Sequence, residues 1–177
     1  MLFTEYPYSL FTGSSYYWIG ESYFAEGKYV DAEENFNEAI KHERTNKYFV
    51  NSLYSLAQVY EKTNDYKKAV AEYDELLAYY KDSPLAPKSQ MRIGICYFNQ
   101  KDYDNAVLEL TDPLMKKLTA KDLSDAKYFL ANSYVRLKEY KEAAQIYEEL
   151  LGETQETSYI EKIKYSLAWL NFQQNDY

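Results

Sequence analysis

The side chains best suited to chemistry are few in this chain. There is one histidine, His42, one cysteine, Cys96, and adjacent carboxylates at Glu33-Glu34, Asp74-Glu75 and Glu148-Glu149. A zinc site needs three or four His, Cys or carboxylate ligands converging on one point, and one histidine with one cysteine falls short of that. No Gly-rich phosphate loop, nucleophile elbow or Cys/His pair occurs either. His42 reads as a solvent-exposed residue at a helix end. Cys96 stands where the same spacing elsewhere puts Ser22, Val59, Ser133 and Leu170, so it reads as a buried, inert packing residue. The carboxylate pairs read as solvated helix surface. The expectation is a chain with no catalytic residues, no metal and no cofactor.

The residues that do recur point to architecture. Tyr29, Tyr66, Tyr103, Tyr140 and Tyr177 are each 37 residues apart. Ala32, Ala69, Ala106 and Ala143 keep the same step, as do Tyr23, Tyr60, Tyr97 and Tyr134. Small residues follow it too, at Gly20, Ala57, Gly94, Ala131 and Ala168. A fixed period of this size marks a stacked array, in which each unit has an apolar face that only its neighbours can bury.

Within a unit, Ile19, Gly20 and Tyr23 have helical spacing. A short polar turn follows, Glu26 to Lys28, Thr63 to Asp65 or Gln100 to Asp102. A second helix then carries Ala32, Phe36 and Ala39, or Ala69, Tyr73 and Leu76. Asp65 and Asp102 suit its N-cap, because a carboxylate accepts the orphan backbone N–H groups of the first turn. Each unit is thus an antiparallel helical hairpin, with small residues such as Gly20 against Ala32 allowing close approach.

This pattern resembles the tetratricopeptide repeat: a small residue and a tyrosine in the first helix, a tyrosine at the turn, an alanine and an aromatic in the second. The resemblance implies an all-α, right-handed α-solenoid of tandem helix-turn-helix repeats. The units fall at 13–49, 50–86, 87–123 and 124–160, with 1–12 as the tail of a preceding repeat and 161–177 as the first helix of a truncated one. Neither end carries the polar cap of a terminal repeat, so the chain reads as an excerpt of a longer array. The period exceeds the family's usual ~34 residues. Pro113 is a second departure, standing where Ala39, Leu76 and Leu150 stand in other units. Proline inside a helix removes a hydrogen bond and clashes with the preceding turn. Asp112 is therefore expected to cap a new helical piece with Pro113 at its first position.

The family lines its concave groove mainly with the first helix of each repeat. Carried over here, that face holds Tyr17, Tyr54, Met91, Tyr128 and Tyr165, then Glu21, Gln58, Ile95, Asn132 and Trp169 one turn on. Arg92 lies beside them, with Trp18, Ser55, Phe129 and Ser166. Exposed, such a strip of aromatics and amides would bind a protein or an extended or helical peptide with apolar anchors. The chaperone-binding branch grips a terminal carboxylate with lysines, asparagines and an arginine. Only Lys88 and Arg92 fit that clamp here, while Tyr17, Glu21 and Ser55 occupy its other positions and Glu21 would repel a carboxylate.

Net charge is −8. An acidic chain without a basic stripe is a poor partner for nucleic acid or for an anionic membrane surface, and no run approaches a membrane span. The function expected is a non-catalytic interaction scaffold. The competing readings are a self-associating array that builds a homo-oligomer, and a regulatory or targeting arm of a larger protein. Runs such as Glu5-Tyr6-Pro7-Tyr8-Ser9 and Tyr80-Lys81-Asp82-Ser83-Pro84 also resemble bacterial cell-envelope tetratricopeptide proteins, namely the periplasmic protein associated with the Tol–Pal system and the lipoprotein of the outer-membrane β-barrel assembly machine, which implies a periplasmic or envelope location.

Overall fold

The computed structural model describes residues 11–42, 46–153 and 157–175, and in the last segment the side chains of 160–173. The Glu5–Ser9 run, Asp176 and Tyr177 lie outside the described residues. Among those described the chain is all helical. Its helices are α1 (Thr12–Ala25), α2 (Tyr29–Lys41), α3 (Phe49–Lys62), α4 (Tyr66–Tyr79), α5 (Ala86–Asn99), α6 (Tyr103–Leu110), a 3-10 helix (Pro113–Lys117), α7 (Ala120–Leu137), α8 (Tyr140–Glu153) and α9 (Thr157–Asn175). They form two compact units, one ending at Ser89 and one beginning at Gln90.

In the first unit α1 packs on α2, α3 on α4, and α2 on α3. Phe36, Leu53, Leu56, Tyr73 and Leu76 are fully enclosed at its centre; each such side chain contributes about 1.5–3 kcal/mol of apolar burial. Gly20 is needed for this packing. A Cβ there would come within 2.7 Å of the Phe36 ring, so Phe36, not Ala32, presses on it.

The second unit has two apolar clusters. Met91, Ile95, Leu110, Met115 and Ala126 make one. Ala131, Ala143, Tyr147, Leu150, Ile163 and Leu170 make the other, between α7, α8 and α9. Gly94 lets α5 meet α6, because a Cβ there would sit 2.5 Å from Leu110 Cγ. Cys96 is fully buried, and burial pushes its thiol up to about 12.

One backbone device closes all four hairpins. Gly27, Asn64, Lys101 and Lys138 each hold the left-handed conformation, with φ between 61° and 74°. The next residue's N–H then donates to a tyrosine carbonyl: Lys28 to Tyr23, Asp65 to Tyr60, Asp102 to Tyr97 and Glu139 to Tyr134, all at 2.8–3.0 Å. These bonds satisfy carbonyls that a helix end otherwise leaves open. Asp65 and Asp102 cap the following helices, accepting from the N–H groups of Lys68 and Asn105 at 3.3 Å.

The third hairpin breaks where Pro113 requires. Helix α6 ends at Leu110 after only 8 residues. Asp112 Oδ1 accepts from Leu114 N at 2.8 Å, and Pro113 opens the 3-10 helix that follows. Thr119 then caps α7, which starts at Ala120 and so crosses the border drawn from the repeat period.

Candidate functional site

The side chains expected on one exposed strip have different surroundings. In the first unit, Tyr17 is only 8 % exposed and Tyr54 only 7 %. Tyr17 stacks on Tyr48 at 4.9 Å between ring centroids, and Tyr54 lies against Tyr73 at 5.4 Å. Both rings belong to the core, which corrects their expected exposure. The reason is local: Tyr48 and Tyr73, on neighbouring elements, present flat aromatic faces that offset or tilted rings cover well. Glu21 is half-buried and accepts a 2.6 Å hydrogen bond from Ser55 Oγ, while Gln58 is half-buried. Trp18 is exposed beside Tyr48. His42, expected in solvent, is half-buried at the end of α2 with its ring stacked on Tyr16.

In the second unit, Met91 and Ile95 are buried in an apolar cluster, so they too leave the expected strip, and Arg92 is half-buried. Tyr128 is half-buried, edge-on to Phe129 and to Tyr147. Three expected residues do come together: Asn132, Tyr165 and Trp169 line a hollow of about 250 Å³ with Val135, Arg136, Tyr147 and Ser166. Tyr165 is 76 % exposed and Trp169 37 %. Trp169 is held edge-on against Tyr140 at 5.9 Å. Phe172, one turn further along α9, is exposed as well.

The hollow is built by two helices. Asn132 and Arg136 are one turn apart on α7, and Tyr165 and Trp169 one turn apart on α9, so each pair shares a helix face. Leu170 and Ile163, on the opposite side of α9, anchor that helix in the core and leave the aromatic pair outward. Asn132 Nδ2 donates to the Tyr128 carbonyl at 2.7 Å, which fixes the amide and turns its oxygen away from that bond. Tyr147 forms the base. Burial pushes its phenol up to about 12, with Ser166 beside it pulling the other way.

Arg136, Val135, Tyr147 and Ser166 were absent from the expected site, although Ser166 stood beside it. The 37-residue step could have found two of them, since Ala25, Lys62, Asn99 and Arg136 form a third row and Phe24, Glu61, Phe98 and Val135 a fourth. Tyr147 lies on a second helix, outside any first-helix row.

No group of three or more His, Cys, Asp or Glu able to hold a metal ion occurs among the described residues. No described helix is long and apolar enough to cross a membrane.

Known proteins match this arrangement over most of its length. Three sequence models described as tetratricopeptide repeat match residues 11–82, 54–112 and 128–158. A response regulator aspartate phosphatase J from Bacillus subtilis (strain 168) is 29 % identical over 144 residues, covering 78 % of this chain. The chain spans only 38 % of that relative's length. The apo form of RapI superposes with a TM-score of 0.79 at 14 % identity, over 92 % of this chain and 48 % of that one. YrrB, described as a TPR protein with an unusual peptide-binding site, gives 0.69 at 17 % identity, over 86 % of this chain and 74 % of its own. At these identities the solved structures bear on the fold alone, a helical solenoid of paired helices. Repeat period, hairpin geometry and matched sequence agree, and the chain belongs to the tetratricopeptide repeat family.

Proposed function

We propose that this chain is a non-catalytic docking module that takes a peptide or protein segment against the α7–α9 face. The observation that carries the reading is the hollow between α7 and α9, which brings Asn132, Arg136, Tyr165 and Trp169 together. The peptide-binding description of YrrB supports the same use of the fold. The phosphatase activity in the relative's name belongs to that longer protein; here the one thiol is buried and protonated, and the one histidine is stacked at a helix end. Self-association and service as the arm of a larger protein are the competing readings. An envelope location remains part of the proposal, and fractionation of source cells tests it.

The experiment is a crosslinking pull-down from the source organism with wild type and the Tyr165→Ala/Trp169→Ala double variant. A protein captured by the first and lost with the second supports the proposal. Equal capture by both moves the contact to another face. Capture of the chain alone favours self-assembly.

A further inference from the structure

We draw no further inference here: the strongest candidate, the open hollow at the α4–α5 turn lined by Val50, Tyr79, Tyr80 and Asp82, carries nothing because no feature of the structure shows what covers it.

Discussion

Tyr54 and Tyr165 occupy equivalent steps of the same ladder, yet one is enclosed and the other stands in water. Their substitution should separate packing from recognition. Tyr54→Ala removes a ring lying on Tyr73 and should cost about 3–5 kcal/mol, by analogy with other buried aromatics. Tyr165→Ala should fall within about 0.5 kcal/mol of wild type. Urea denaturation of both variants checks the contrast. A second prediction concerns Glu72, whose carboxyl is pushed up to about 7 by burial and then by Glu75. Its folded pKa lies above the unfolded value, so its stabilising contribution is complete below pH ~4.5 and is lost as pH rises through about 7. Glu72→Gln, which is never charged, should therefore raise the melting temperature more at pH 8 than at pH 4.5. Equal shifts at both would refute the assignment.

At the level of the element, the turn is the unit that repeats most faithfully. Lys101 and Lys138 take up a left-handed conformation that glycine adopts without a Cβ penalty and lysine does not. Replacing either by Gly should stabilise the chain by about 0.5–1 kcal/mol, read from the denaturation midpoint. The opposite sign is expected at Gly94, where Leu would collide with Leu110 and cost about 1–3 kcal/mol. The hairpins were legible in sequence because their determinants are local: Asp65 and Asp102 cap, Pro113 restarts, and small residues recur where helices touch. Exposure within a row was not legible. The surroundings of Tyr17 and Trp169 include Tyr48 and Tyr140, residues outside the row, and the period does not say which rings of different rows will meet. Tyr147 was missed for the same reason, because it enters the hollow from α8 while the ladder follows only first helices.

Across the whole molecule, the lone thiol offers a test of integrity. Cys96 is fully enclosed, and burial holds its thiol up near 12, so almost none is thiolate at pH 8. Iodoacetamide should label it slowly in the native protein and rapidly in denaturing urea. Fast labelling under native conditions would place Cys96 outside the core. The fold class was the most legible property of all, since a single step recurs from Gly20 to Ala168 and no local irregularity can erase it. What the array holds was less so, because it depends on how two helix faces meet at one end.

The four turns carry a consequence at the level of the gene. Gly27, Asn64, Lys101 and Lys138 adopt one geometry with three different residue types, and each bonds back to the tyrosine of its own unit. A duplication or deletion of one whole period would therefore leave every remaining turn with its own acceptor, so the array can lengthen or shorten by recombination without inventing a new join. Copies of the third unit would differ. Each would bring Asp112 and Pro113 along, and with them another interruption, so the heritable variation easiest for this protein to tolerate begins with its other three hairpins.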